Sequence, residues 1–134
     1  MMKYDEIDEN AQTINGWGRK EKTYMEFESL TNCEEIVMKT VWDAERELDL
    51  SDITQRVNEV YHKEWKPQTV STFLARLVRK GYLTHYRHGR VFYYQILVPQ
   101  KDYLGKMAER FAAFWKRENV DIFLEALKKQ TATG

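Results

Sequence analysis

The sequence predicts a mostly α-helical chain that carries one small β-hairpin and ends in a helical segment. Three observations carry that expectation. Between residues 31 and 80, apolar side chains recur every three or four positions in three separate stretches. Over residues 82–97 the period changes to two around His88-Gly89. After Pro99 the helical period returns with a broad aromatic stripe.

Residues 1–29 are polar, keep no sustained period and contain Gly-Trp-Gly at 16–18. They read as a flexible N-terminal arm, with a short strand around Tyr24–Phe27. Thr31 then opens a first helix. Its hydroxyl caps the helix, Glu34 completes a T-x-x-E capping box, and Ile36, Val37, Thr40, Val41 and Ala44 face inward, flanked by Met38 and Trp42. A second helix follows Leu48-Asp49-Leu50. Ser51 is its expected N-cap, and Ile53, Val57, Val60 and Tyr61 form its stripe.

The third helix starts at Lys66-Pro67, where the missing proline N–H costs nothing. Val70, Phe73, Leu74, Leu77 and Val78 make its apolar face, and Gly81 is the left-handed residue that ends it. Opposite that face lie Gln68, Thr72, Ala75 and Arg79, with Thr69, Ser71 and Arg76 on the flanks. The stretches 82–87 and 90–97 form a hairpin about a His-Gly turn at 88–89. Three helices followed by a hairpin is the winged helix-turn-helix layout, placed at residues 30–98.

From residue 99 to 134, Tyr103, Leu104, Met107, Phe111, Phe114 and Trp115 line one helix. Asn119 is expected to cap a last helix carrying Phe123 and Leu127. Two helices this apolar need a covering surface, most simply a second copy of the chain, so residues 99–134 read as a dimerisation segment.

Charge is balanced overall, with 21 basic and 21 acidic side chains, but its distribution is uneven. Residues 32–65 hold four basic and nine acidic groups, whereas residues 66–101 hold seven basic groups and no acid. A partner feels the local field, so the acid-free run points to a polyanion. In a helix-turn-helix the second helix of the pair enters the major groove of double-stranded DNA through its N-terminal residues. Here those are Gln68, Thr69, Ser71 and Thr72, short polar groups suited to base edges. Lys66, Arg76, Arg79, Arg87, His88 and Arg90 are placed for the phosphate backbone.

LTNCEEIVMKTVW (30–42), WKPQTVSTFLARLVRKGYL (65–83) and RHGRVFYYQILV (87–98) resemble the penicillinase-repressor family of BlaI, MecI and CopY. The likeness runs over about residues 30–125. It implies a homodimeric winged-helix repressor on an operator with dyad symmetry, base contacts at Gln68, Thr69, Ser71 and Thr72, and a phosphate contact at Arg76. Three departures stand out. The arm is longer than the family's usual few residues, and the chain stops soon after Leu127. Arg110–Phe111 stands where members inactivated by proteolysis carry Asn-Phe, which argues against that sensor-protease input; the absence of Cys-x-Cys argues against copper sensing.

Other chemistries find little support. No apolar stretch is long enough for a membrane span, and the polar N-terminus is no signal peptide. A single cysteine, Cys33, forms no internal disulfide and fits a reducing cytoplasmic compartment. His62, His85 and His88 are the only imidazoles, His85 and His88 flank the hairpin turn with no Cys or acid at metal-ligand spacing near them, and there is no phosphate loop or nucleophile elbow, so neither an enzyme, a cofactor nor a metal is expected. Two alternatives stay open: a winged-helix module that binds protein, and a regulator whose tail aromatics Tyr103, Phe111, Phe114 and Trp115 hold a small molecule.

Overall fold

A computed structural model describes residues 28–132; most of the expected arm, with its strand at 24–27, lies outside the described residues. The elements are α1 (Asn32–Asp43), β1 (Leu48–Asp49), α2 (Leu50–Tyr61), α3 (Pro67–Arg79), β2 (Leu83–His88), β3 (Val91–Ile96), α4 (Gln100–Phe114) and α5 (Arg117–Ala132). The chain divides into two compact units, one ending at Tyr103 and one holding Leu104 onward. The architecture is mostly helical with a small antiparallel sheet, as the periodicities require.

In the first unit, Val37, Met38 and Val41 of α1 meet Ile53 and Val57 of α2 and Val70, Leu74 and Leu77 of α3, all buried. Leu48, Tyr82, Leu83 and Val98 close the core from the sheet side. Burying a leucine of this kind stabilises by about 2 kcal/mol through the apolar area removed from water.

The start of α1 is the capping box expected there. The Thr31 hydroxyl accepts the Glu34 N–H at 3.2 Å, and the Glu34 carboxylate accepts the Thr31 N–H at 3.0 Å. What the helical spacing does not reveal is that Glu34 is 1% exposed and also receives the Lys80 ammonium at 2.6 Å. Lys80 donates further to the Ser29 carbonyl at 2.9 Å. Burial pushes the Glu34 carboxyl up, but the Lys80 hydrogen bond, the Thr31 amide and the charges of Lys80 and Arg76 outweigh it, so its pKa lies below the ordinary value.

The end of α3 is a Schellman motif. Gly81, at φ 86°, donates to the Val78 carbonyl at 3.1 Å, and Tyr82 donates to Leu77 at 2.9 Å. Leu77 and Tyr82 are both fully buried, which supplies the motif's apolar contact.

Three boundaries and one added strand differ from the expectations of the sequence. Asp49, not Ser51, caps α2: its side chain accepts the Asp52 N–H at 2.8 Å. The reason is β1, which the sequence reading left out. Leu48 and Asp49 pair with Tyr94 and Tyr93 of β3, so the chain leaves a strand and enters the helix two residues early. The sheet order is therefore β1-β3-β2. The hairpin turns at Gly89-Arg90, one residue later than expected, because His88 still pairs with Val91; Gly89 takes φ 68° there. Finally, Asn119 lies inside α5 rather than capping it, since its N–H already bonds the Lys116 carbonyl at 2.9 Å.

Tyr103 also departs from expectation. Instead of lining a dimer face it is 7% exposed, packs on Trp42 at 5.2 Å and Tyr82 at 5.8 Å, and donates to Glu35 at 2.7 Å. Trp42 donates to the Val98 carbonyl at 2.9 Å. Tyr103 therefore belongs to the winged unit's own core.

In the second unit, Phe111 stacks on Phe123 at 4.4 Å and lies 5.8 Å from Trp115, so α4 and α5 meet through rings. Leu104, Met107, Phe114, Ile122, Leu124 and Leu127 stay exposed.

Glu34→Ala leaves the Lys80 ammonium buried without its carboxylate and should destabilise the chain by roughly 3 kcal/mol. Because the folded-state pKa of Glu34 is depressed, its contribution is present in full above the ordinary glutamate value of 4.5 and drains away as pH falls through the lower folded value. Urea unfolding from pH 7 to 3 should show wild type losing stability below about pH 4.5 more steeply than Glu34→Ala. Parallel curves would refute the assignment.

Candidate nucleic-acid interface

The sequence of α3 divides it into two unlike faces. Val70, Leu74 and Leu77 are fully buried, while Gln68, Thr69, Ser71, Thr72, Arg76 and Arg79 are all exposed. The Thr72 hydroxyl donates to the Gln68 carbonyl one turn back at 3.1 Å. Lys66 is the exposed N-cap residue, with no side-chain cap bond of its own. The first two turns of α3 thus present amide and hydroxyl groups, and the later turns present guanidinium groups.

Two aromatic rings shape the flank of α3 that carries Arg76. Phe73 and Trp65 lie 5.2 Å apart. The Arg76 guanidinium sits 5.6 Å from the Phe73 ring, and the Lys63 ammonium 5.8 Å from the Trp65 ring. Such stacking limits the rotamers each cation samples.

The turn into α3 is fixed by one side chain. The Asn58 amide accepts the Trp65 N–H at 3.0 Å and donates to the Trp65 carbonyl at 3.0 Å. His62, at φ 57°, reverses the chain just before it. Asn58 satisfies both backbone groups of the residue that precedes the N-cap, so it sets where α3 begins. Asn58 is not among the residues singled out from the sequence; an Asn inside an amphipathic stripe, where its helix propensity is poor, is the available signal.

Arg87 and His88 on β2 and Arg90 in the turn are exposed. Arg87 lies 5.6 Å from the Phe92 ring, and His88 meets Tyr93 edge-on at 6.4 Å. On the same sheet face Tyr86 stacks on Tyr93 at 5.8 Å. Glu47, before β1, accepts the Tyr86 hydroxyl at 2.6 Å and the Gln95 amide at 3.0 Å. The Tyr86 bond, then that of Gln95, holds the Glu47 carboxyl below its usual value, and Glu47 raises Tyr86. This pair ties the hairpin to the body of the unit.

Between α2, α3 and the hairpin lies a cleft of about 620 Å³, lined by residues that include Ser51, Gln55, Ser71 and Arg90. Burial raises the Tyr94 phenol beside it. One cation of the acid-free run, Lys80, faces inward to Glu34 and is not part of the exposed surface.

The tail residues from Leu104 onward belong to the second unit. The Arg110–Phe111 bond lies within α4, between half-buried residues. Among the described residues no His, Cys, Asp and Glu group is arranged to hold a metal ion, and no helix is long and apolar enough to cross a membrane.

Three helices, a three-stranded sheet and a polar, basic face on α3 define a winged helix-turn-helix protein. The chain belongs to the penicillinase repressor family, whose profile matches residues 30–133. It is 29% identical to the penicillinase repressor of Bacillus licheniformis over 82 residues, 61% of this chain and 62% of that protein; the match thus spans less than two thirds of that relative. It is 27% identical to the methicillin resistance regulatory protein MecI of Staphylococcus aureus (strain N315), over 67% of this chain and 68% of MecI. The solution structure of Bacillus licheniformis BlaI, monomeric form, in complex with the blaP half-operator is 30% identical, covers 57% of this chain and 90% of that chain, and has a TM-score of 0.48. The family is one of repressors, not of enzymes.

Asn58→Ala removes both bonds to Trp65 and should cost about 1–3 kcal/mol of stability. Chemical denaturation measures it; a loss below about 0.5 kcal/mol would show that the turn holds α3 without Asn58.

Proposed function

We propose that the chain is a sequence-specific DNA-binding repressor that acts as a homodimer on an operator with dyad symmetry. The observation that carries this reading is the outer face of α3: short polar groups at Gln68, Thr69, Ser71 and Thr72, then Arg76 and Arg79, all exposed. In the major groove the first set reads base edges and the second meets phosphates. Lys66, Arg87, His88 and Arg90 add backbone contacts. The family relation supports the same reading, and occlusion of a promoter by the bound dimer is the simplest route to repression.

The homodimer rests on the tail. Phe114 is 73% exposed and Ile122 65%, and apolar faces of this size on paired helices call for cover. Leu104, Met107, Phe111, Trp115, Phe123 and Leu127 extend that surface; Tyr103 is removed from it. Paired copies would set their α3 helices about one DNA turn apart, ~34–36 Å.

Fluorescence anisotropy with a labelled fragment from upstream of the chain's own gene, against a scrambled fragment at two salt concentrations, tests the reading. Preference for the native fragment that survives the higher salt is expected; equal, weak binding to both would overturn it in favour of a protein-binding module. Arg76→Ala should weaken binding to all sequences and reduce the slope of log K against log salt by about 0.9. Gln68→Ala should instead change base preference, with a cost of about 1–3 kcal/mol at one operator position; uniform weakening would sink the base assignment. The double variant Phe114→Ser, Ile122→Ser should sediment as a monomer where the parent chain sediments as a dimer.

A further inference from the structure

The cleft beside α3 has chemistry that nothing in the fold satisfies. Its volume of about 620 Å³ falls within the roughly 300–1,000 Å³ typical of small-molecule sites. Leu50, Pro67, Val91 and Phe92 give it an apolar lining, and Val91 and Phe92 remain 39% and 44% exposed. Arg90 stands in its wall together with Asp49, whose carboxylate is held by the Asp52 N–H as the α2 cap, and among the described residues no carboxylate pairs with the Arg90 guanidinium. Tyr94 also lines it, and its half-buried hydroxyl meets no hydrogen-bond partner among the described residues.

These features call for one kind of occupant. A sugar–phosphate strand would satisfy Arg90 but leave Phe92 and Val91 against polar groups, gaining little from their burial. A plain hydrocarbon would cover them and strand Arg90. A flat aromatic body with one carboxylate does both: the ring covers Phe92, Leu50 and Pro67, the carboxylate pairs with Arg90, and the Tyr94 hydroxyl donates to the same anion.

We infer that the cleft between α2, α3 and the hairpin binds a small aromatic carboxylate that excludes DNA. The exclusion rests on the proposed function, because Ser71 and Arg90 line the cleft and also belong to the DNA-facing set. Such a ligand is an inducer by direct competition: it needs no movement of the fold, only occupancy of atoms the DNA also requires. The ligand-responsive alternative expected from the tail aromatics thereby moves to a different part of the chain.

The probe is 2-naphthoate, titrated into the 15N-labelled full chain without DNA and followed by amide chemical shifts. Saturable shifts confined to Ser51, Gln55, Ser71, Val91 and Phe92 are expected, with a Kd of roughly 1 mM for a ligand of thirteen non-hydrogen atoms. Phe92→Ala should weaken binding several-fold. So should Ser51→Asp, which keeps α2 intact, because an acid in a helix's first turn is favourable, while repelling the carboxylate. At ten times its Kd, naphthoate should lower DNA affinity about tenfold beyond a sodium chloride control. Absence of saturable shifts by 10 mM would overturn the site. Equal shifts with sulfate at matched ionic strength would reduce it to a plain anion contact, and naphthoate and DNA binding together would overturn the exclusion. Cleft shifts in a chain that binds no DNA would count against the repressor reading alone, leaving the site in place.

Discussion

The winged unit depends on one carboxylate. Glu34 closes the capping box that starts α1 and receives the ammonium that ends α3. Two helix termini, distant in sequence, meet at a single buried group, and both would otherwise carry a desolvated charge. The pair's attraction offsets a desolvation penalty of several kcal/mol per ion, which it can do because two hydrogen bonds accompany it and Arg76 adds favourable charge. The pair fixes how α3 lies on α1, and every exposed group on α3 inherits its direction from that placement. At the same corner the Schellman turn sends Tyr82 inward, and its carbonyl then accepts the Leu97 and Val98 N–H groups. The hairpin is thereby hung from the end of the helix it flanks.

That corner also refines the meaning of the acid-free run. Seven cations with no acid look like one uniform surface along the sequence. In three dimensions Lys80 is withdrawn into the fold, and its countercharge comes from an acidic stretch 46 residues earlier. Of the exposed remainder, all but Lys101, which lies on α4, stand along α3 and at the hairpin tip. Glu47 has a parallel position on the hairpin side: it is acidic and near the basic tip, yet it is engaged by Tyr86 and Gln95. Glu34 and Glu47 thus serve as anchors within the fold and not as free surface charges.

The parts of this fold legible in the sequence are those set by local rules. The Thr31–Glu34 box, Pro67 at the start of α3, Gly81 after its end and the period change at residue 82 each depend on neighbours a few positions away. The parts not legible depend on pairing across the chain. Nothing local marks Leu48-Asp49 as a strand; it becomes one because β3 offers Tyr94 and Tyr93 as partners, and the α2 cap moves to Asp49 as a result. Tyr103 shares a helical stripe with Leu104 and Met107, so periodicity assigns them together. Only packing against Trp42 and Tyr82 separates it from them. The polar residues on the outer face of α3 were legible for a simpler reason: an amphipathic helix whose buried face is known has only one other face to offer.

The limits of local reading also explain why the cleft escaped notice. Its walls come from the start of α2, the start of α3 and the hairpin turn, so no single stretch carries its signature. Each contributor has an ordinary structural role where it stands: Asp49 caps a helix, Pro67 opens one, Arg90 occupies a turn. The β1–β3 pairing makes them a site, since it draws the start of α2 against the hairpin while the Asn58 clamp places the start of α3 beside both. A winged helix that holds α3 by such clamps, and not by a broad apolar seam alone, keeps a concave surface at the junction. A small ligand in that surface would need no second conformation of the protein to compete with DNA. The equilibrium would be set by differential occupancy of the same groups, the least elaborate form of linkage between a signal and a binding site.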